Sequence, residues 1–571
     1  MIRASSDDRG FMIRLGFHRD WYALIVGVLI VVGFELALIL WTTHGNFTYT
    51  LDDPYIHLAL AENLERFGHY GLNVEEYSSP SSSILWPLLL VPLLAIGLGA
   101  FGPLILNVLF AVGSVLVIHR IVVDSAKSSR PAAEISWVWA LLIFFVVNGF
   151  GVIFTGMEHS LHILVTVSTM YFINRMQLAA DNASAVRTSG YDDGLLALCI
   201  VLSPLIRFEG LAVSLFAVAM LIRFGKARLA AVSGGLLLLP LAAYFYAMSA
   251  LGLPWLPSSV LVKSRAAAEA SAQLDIAGKL FAAAARTAQN VIENLQDPEA
   301  QFLLAANVLV ILQSVRAWFA RERVSPVYVL GVVAVVGLHF AFGRFGWYGR
   351  YQSYVCSFVI CAGLYVFSRL LSRHLAAATQ AAQERLAIWG AVGACIAVSV
   401  GLQQNLMPMI TTPVAAQNIY EQQRQMHEFV TQHWKSRVAA NDVGYIGFQN
   451  DEYVLDLWGL GSEEARRLIV ANDPERLRKL TDKHDVHLAI IYEMLFPKVI
   501  PADWWKVAEL KLSTARVTPA YDRVSFYVIG GDRARCLHVS AQLIEFSRTL
   551  VRPQTLSVDA GVCGRSGVAL N

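Results

Sequence analysis

The stretch WYALIVGVLIVVGFELALILW, Trp21–Trp41, followed after a short polar segment by Asp52-Asp53-Pro54-Tyr55-Ile56-His57, decides how this chain is read. The first part is about long enough to span a bilayer as a helix. It exceeds the core of a signal peptide and has no small-residue cleavage site at its end, so a retained first membrane helix is expected. The second part places two adjacent carboxylates just beyond that helix. Near a membrane surface, two neighbouring like charges disfavour joint ionisation unless a cation, a metal or a charged ligand is close.

The composition agrees with a membrane setting. Of 571 residues, 56% are apolar and 15% are charged, against roughly 25% charged in ordinary soluble domains, and the mean hydropathy is +0.51. The reading is a polytopic α-helical membrane protein. With 45 basic and 43 acidic residues the net charge is only +2, so no global field steers the chain toward nucleic acid, which is not an expected partner. Membrane lipid is.

Charge placement orients the spans. Arg3, Arg9, Arg14 and Arg19 precede the first helix, which by the positive-inside rule puts the N-terminus in the cytoplasm and the loop 43–82, with its carboxylate pair, outside. Arg120, Lys127 and Arg130 must then return to the cytoplasm. That makes residues 82–99, interrupted by Pro87 and Pro92, a helix lying in the outer interface, and 103–123 the first return. Further spans are expected at 135–154, 160–174, 194–206, 207–222, 229–251, 302–315, 326–342, 352–370 and 386–402, which makes about eleven transmembrane helices. The stretch 194–222 is split at Arg207-Phe208-Glu209-Gly210 because Arg223, Lys226 and Arg228 belong inside. A long outer loop covers 252–301, with an interfacial helix at 264–290.

Residues 403–571 have the composition of a soluble α/β domain. Helices are expected over 413–434, Glu463–Ala471 and Pro474–His484, and strands over Arg437–Ala440, Tyr453–Leu457 and Val486–Tyr492. The domain plan is therefore 1–402 in the membrane and 403–571 as an extracytoplasmic α/β domain. Cys199, Cys356, Cys361 and Cys395 lie in apolar segments and read as packing residues, whereas Cys536 and Cys563 can pair if the tail faces an oxidising compartment.

This topology gathers the unusual polar clusters on the outer face. Asp53-Pro54 is a helix start with Asp as cap and Pro in the first turn, for a helix carrying Ile56, Leu60, Leu64 and Phe67 on one stripe. A cap accounts for Asp53 but not for Asp52, so Asp52 is preferred as a general base and Asp53 as the cap. Glu158 and His159 stand at a helix entrance, either as a cap with an interfacial histidine or as substrate contacts. Arg207 and Glu209, costly in lipid, should pair or face a polar cavity. Lys263, Arg344 and Arg350 are cations suited to a phosphate, and Trp347, Tyr348 and Tyr351 could stack on a sugar face. In the tail, Asp442 and Asp456 occupy Gly-rich turns, where turn formation and binding of sugar hydroxyls are both open.

With these residues in view, the chain resembles the GT-C class of integral-membrane glycosyltransferases, which use polyprenyl-phosphate sugars, and within it the bacterial branch that includes terminal arabinofuranosyltransferases. The resemblance rests on Asp52-Asp53-Pro54-Tyr55-Ile56 with Tyr77-Ser78-Ser79-Pro80 and Trp86, Thr155-Gly156-Met157-Glu158, Arg207-Phe208-Glu209-Gly210, Leu256-Pro257-Ser258-Ser259 with Lys263, and Gly349-Arg350-Tyr351. In the tail it adds Asn441 to Gly447 and Asp456 to Leu460. It implies a multi-pass protein of the bacterial cytoplasmic membrane with its site on the outer face. The implied reaction is an inverting transfer of a sugar from a polyprenyl-phosphate donor to a glycan or lipid acceptor of the cell envelope. Asp52 or Asp53 would take the acceptor proton, Lys263, Arg350 and Arg207 would hold the donor phosphate, and Tyr55, His57, Glu158, His159, Glu209, Trp347, Tyr348 and Tyr351 would contact substrate. Some relatives hold a divalent metal at the acidic pair; the sequence offers no further ligand set, and metal use stays open. The competing reading is a transporter or flippase of a lipid-linked or small polar solute, against which stand the absence of an internal repeat and the one-sided placement of charge.

Overall fold

A computed structural model describes residues 6–125, 135–181, 189–263, 276–319, 324–377, 406–469, 473–552 and 555–564. The chain folds as two compact units, one from residues 1–36, 104–241 and 284–410, the other from 37–103, 242–283 and 411–571. The carboxylate loop and the C-terminal α/β fold thus belong to the same unit.

Among the described residues, the first fourteen helices are α1 (Ser6–Thr42), α2 (Asp53–Phe67), α3 (Leu85–Ala95), α4 (Gly102–Ser125), α5 (Ser136–Val146), α6 (His159–Asp181), α7 (Gly190–Ile206), α8 (Gly210–Arg223), α9 (Ala227–Ala250), α10 (Ser258–Lys263), α11 (Ile276–Leu295), α12 (Pro298–Phe319), α13 (Pro326–Phe342) and α14 (Ser353–Ala377). Four helical stretches among the described residues are long and apolar enough to cross a membrane: Arg19–Thr42, Gly99–Ser125, Ala227–Ala250 and Pro298–Ala317. Shorter apolar helices occupy Leu85–Ala95, Ser136–Val146, Gly210–Arg223, Pro326–Phe342 and Ser353–Arg369. Length and composition therefore support several spans but not the expected eleven. The reason is physical: the helices at four of the expected positions have apolar stretches of only 10–17 residues, and α6 carries polar residues along much of its length. The expected span 386–402 lies outside the described residues.

In the helical unit α6 packs on α7, α8 and α14, and α12 packs on α13 and α14. The break at Arg207 falls where the charges demanded it. Arg207 leaves the helix with extended backbone, φ −153° and ψ 141°, and α8 restarts at Gly210 so close to α7 that a Cβ there would meet the Ser203 carbonyl at 2.3 Å. Only glycine allows that approach.

In the second unit, α15 spans residues 406–434, with π-helical stretches at Tyr420–Arg424 and Phe429–Trp434. A six-stranded sheet follows, built from β1 (Val438–Ala440), β2 (Val454–Asp456), β3 (Leu488–Ile491), β4 (Trp505–Lys511), β5 (Arg523–Val528) and β6 (Leu556–Val558). The spatial order is β2-β1-β3-β5-β4-β6. Strands β1, β2 and β3 are parallel, with Ala439 beside Leu455 and Ala489, and the other pairings are antiparallel. Short helices α16 (Gly444–Gly447), α17 (Glu463–Ile469) and α18 (Pro474–Lys483) make the crossovers, and α19 (Arg533–Thr549) follows β5. The three expected strands and the helices at 463 and 474 are present within a residue or two. Strands β4 to β6 and α19 were not foreseen. Leu455, Leu457, Leu480, Val486, Ile491 and Trp504 form the core on one face of this sheet. Cys536 in α19 is disulfide-bonded to Cys563, while Cys199, Cys356 and Cys361 are free and buried.

Candidate active site

The start of α2 is built from its sequence. Asp52 is the N-cap, with Pro54 in the first turn, and Gly68 ends the helix in the left-handed region at φ 62°, its amide bonded to the Asn63 and Leu64 carbonyls. The expected cap position is corrected by one residue. Asp52, not Asp53, stands at the cap position, and its side chain makes no cap bond to its own helix. Instead its Oδ2 accepts the Gly444 amide at 2.7 Å and its Oδ1 accepts the Tyr445 amide at 2.8 Å. The first loop thereby caps a helix of the tail. A Cβ at Gly444 would meet the Asp52 backbone oxygen at 2.2 Å and Oδ2 at 2.7 Å, so this approach requires glycine.

The helix after the cap also differs from the expected single stripe. Pro54 through Ala61 are all buried, whereas Phe67 is exposed. Tyr55 is buried, its Oη accepting the Tyr49 amide at 3.1 Å and its ring 4.0 Å from that of Tyr445. His57 is buried, with Nδ1 3.0 Å from Ser81 Oγ. Both pack inside the loop.

Asp442, at the end of β1, is the third carboxylate of this cluster. Its Oδ2 receives Gln423 Nε2 at 2.8 Å and Tyr492 Oη at 2.9 Å, and its Oδ1 receives Asn441 Nδ2 at 3.2 Å. Tyr492 Oη also lies 2.6 Å from Gln422 Oε1, and one hydroxyl proton cannot serve two acceptors. Burial, then Asp442, pushes the Asp52 carboxyl well above the usual range, with Asp53 adding to it and the Tyr445 and Gly444 amides pulling the other way. Burial also raises Asp442, reinforced by Asp53 and opposed by Gln423, Tyr492 and Asn441. This is an acid cluster arranged to retain a proton.

Further bonds hold loop and tail together. Asn73 extends the sheet edge like a backbone peptide, donating to the Val454 carbonyl and accepting its amide, both at 2.9 Å. Tyr453 Oη donates to Glu76 at 2.8 Å, Arg437 pairs with Glu75 at 2.8 Å, and Glu62 accepts the Gln449 amide at 2.9 Å. Asp456, the other tail aspartate in a Gly-rich turn, accepts four backbone amides, from Trp458, Gly459, Leu460 and Gly461, at 2.5–3.0 Å. That is turn formation.

The helical unit holds the second group of expected site residues. Arg207 is buried and bonds Glu158 at 2.7 Å and Glu209 at 3.0 Å. Its guanidinium lies 5.6 Å from the Tyr351 ring, on which Arg350 also sits at 4.8 Å, donating to Tyr351 Oη at 2.9 Å. His159 meets the Tyr351 ring edge-on, 6.2 Å between centroids. Trp347 is exposed, and Tyr348 Oη donates to the Pro408 carbonyl. Residues 346–349 form a run of four left-handed residues, Gly346, Trp347, Tyr348 and Gly349 at φ 75°, 47°, 70° and 63°. Asn148 bridges to this run by donating to the Tyr348 carbonyl at 2.8 Å.

Three buried residues of this unit escaped the sequence reading. His162 stacks on Tyr354 with centroids 4.2 Å apart, and His339 Nδ1 lies 3.1 Å from Tyr354 Oη. The available signal was the spacing of Glu158, His159 and His162 along one helix entrance, since residues three and four apart share a face. Arg207 was expected among the phosphate-binding cations; the structure places it between two carboxylates, Glu158 and Glu209. Lys263 ends α10, and its side chain lies outside the described residues.

A divalent cation at the acid cluster fails a fit test. Among the described residues no three His, Cys, Asp or Glu side chains converge as ligands. Both oxygens of Asp52 and of Asp442 receive N–H or O–H donors, so these carboxylates are held by the protein itself.

A family described as Domain of unknown function (DUF8728) matches residues 417–527. Among solved structures, the chain is similar to the oligosaccharyltransferase of Archaeoglobus fulgidus in the apo form, at 10% identity and TM-score 0.43 over 88% of this chain and 75% of that one. The same enzyme in complex with Zn and sulfate gives 10% identity and TM-score 0.44 over 86% and 72%. At these values the likenesses decide nothing about this chain's chemistry. No curated protein matches.

Proposed function

We propose that the chain is a membrane glycosyltransferase of the GT-C kind, moving a sugar from a polyprenyl-phosphate donor to a glycan or lipid acceptor of the cell envelope. The observation that carries this reading is the acid cluster at the start of α2, in which Asp52 is tied to the tail amides and Asp53 stands beside it in the first helical turn. The base is therefore assigned to Asp53 rather than Asp52. Asp53 adds to the raised proton affinity of both Asp52 and Asp442, which places it within their reach.

The reaction balances as a single inverting displacement. The acceptor hydroxyl oxygen bonds to the anomeric carbon as the carbon–phosphate oxygen bond breaks. Asp53 takes the hydroxyl proton, and polyprenyl phosphate leaves with the electron pair. Lys263, of the same unit as Asp53, is the cation proposed to stabilise the leaving phosphate. No step is routed through a metal.

The setting proposed is the outer face of a bacterial cytoplasmic membrane. The Cys536–Cys563 disulfide supports it, because such bonds persist in oxidising compartments. The test uses membranes carrying the protein, supplied with radiolabelled polyprenyl-phosphate sugars. Transfer that disappears in Asp53→Asn while the variant still folds supports the reading. Undiminished transfer in the Asp52→Asn, Asp53→Asn double variant would sink it, and solute flux by purified protein in vesicles without any transfer would favour a transporter.

A further inference from the structure

The serine-rich segment 78–83 meets α2 at His57, within one unit. Its two ends are fixed. Ser78 Oγ accepts the Leu72 amide at 3.0 Å, and Ser83 Oγ accepts the Trp86 amide at 3.0 Å at the start of α3. Between them Ser81 is 1% exposed, and its partner His57 is 2% exposed.

The bonds of Ser81 decide where the imidazole proton resides. Ser81 Oγ lies 2.6 Å from the Ser83 carbonyl, 3.0 Å from the Ser83 amide and 3.0 Å from His57 Nδ1. A carbonyl oxygen only accepts and an amide N–H only donates, so the single hydroxyl proton goes to the Ser83 carbonyl and Oγ accepts the Ser83 N–H. The remaining lone pair of Oγ must accept from the imidazole, which puts the ring proton on Nδ1. In the neutral ring Nε2 is then a bare acceptor, because the hydrogen bond at one nitrogen sets the state of the other.

The helix brings this ring to the proposed base. His57 follows Asp53 by four residues in α2, and residues so spaced share a helix face with Cβ atoms about 5–6 Å apart. Helical side chains lean toward the N-terminus, so His57 leans over the turn that opens at Asp53. Filling that space needs no basic nitrogen; a phenyl ring would bury as well, without a serine to match it.

We propose that His57 is a positioning residue that restores the base, taking from Asp53 the proton removed from the acceptor hydroxyl. The O–H bond of the Asp53 carboxyl breaks and leaves its electron pair on the carboxylate. An N–H bond forms at His57 Nε2, and the resulting imidazolium keeps its Nδ1–H on Ser81. The neighbouring carboxylates favour that imidazolium, which releases its proton to water as the products leave. The inference rests on the transferase reading and on Asp53 as its base.

Two measurements on the full-length protein in detergent micelles test it. Proton–nitrogen correlation NMR of histidine-labelled protein, with His57→Asn identifying the signal, should show His57 as the Nδ1–H tautomer. The Nε2–H tautomer would overturn the proposal. In transfer kinetics, His57→Asn keeps a side-chain N–H for Ser81 but carries no basic nitrogen. With melting unchanged, its kcat should fall about tenfold or more, short of the roughly 10²–10⁴-fold worth of the base itself, while KM holds. Ser81→Ala, which releases the tautomer, should lower kcat severalfold and decides the matter if His57→Asn melts low. Wild-type kcat in either variant overturns the relay, and so does a change confined to KM. Transfer lost in Asp53→Asn but untouched in His57→Asn strikes this proposal alone and leaves the transferase reading standing.

Discussion

Two polar clusters, one in each unit, differ in how their charges are matched. At the start of α2, burial with neighbouring carboxylates, Asp53 among them, raises the proton affinity of Asp52 and Asp442, and the groups bonded to those two are neutral amides and a phenol. Around Arg207, by contrast, one buried guanidinium bridges Glu158 and Glu209. The first arrangement gains nothing as structure that neutral side chains could not supply, so it points to chemistry. The second is what burying charge requires, and it points to architecture.

That contrast can be broken by experiment. Asp53→Asn carries the largest expected effect, a fall in transfer of about 10²–10⁴-fold, the usual worth of a general base, with unchanged melting. If the Arg207 cluster is architectural, Arg207→Ala should instead unfold the helical unit by about 3–5 kcal/mol, the cost of leaving buried carboxylates uncompensated. Protease resistance and thermal melting would read it, and a variant that melts normally but does not transfer would reassign Arg207 to catalysis.

Within the second unit, Cys536→Ser with Cys563→Ser should lower stability by about 3–4 kcal/mol, from chain entropy over a separation of 27 residues. Equal melting in reducing and oxidising buffer would contradict this.

The smallest effect is the most diagnostic. A base must be ionised, so kcat/KM should show an acid limb along which activity falls as pH drops. Asp442→Asn removes a neighbouring negative charge and should move that limb to lower pH. The stability sign follows from the raised values of Asp52 and Asp442. Relative to alkaline solution, their contribution is complete below the ordinary pKa and is lost as pH rises through the folded one. The second unit should therefore melt higher in mild acid than at neutral pH, and the Asp442→Asn variant should show less of this difference.

Much of the helical unit was legible from local rules. Arg207-Phe208-Glu209-Gly210 broke the helix where parity of charge demanded, because an arginine in lipid is too costly to leave inside a span. The alternating and apolar runs at 437–440, 453–457 and 486–492 became β1, β2 and β3. The division of labour between Asp52 and Asp53 was not legible, since the partners that decide it, Gly444 and Tyr445, lie nearly four hundred residues away. The burial of Tyr55 and His57 was not legible either, because polarity near a motif is visible in sequence and burial is not.

The sequence by itself determined that this is a helical membrane protein with an α/β tail, where most helices run, and that an acidic pair opens α2. Those features follow from composition, period and charge, which act over a few residues. Only the tertiary structure decided which aspartate caps the tail, that Asp442 completes the acid cluster, and that Arg207 lies between two carboxylates. Each of these is a contact between distant segments, and its energy depends on burial and geometry that exist only once the chain has folded.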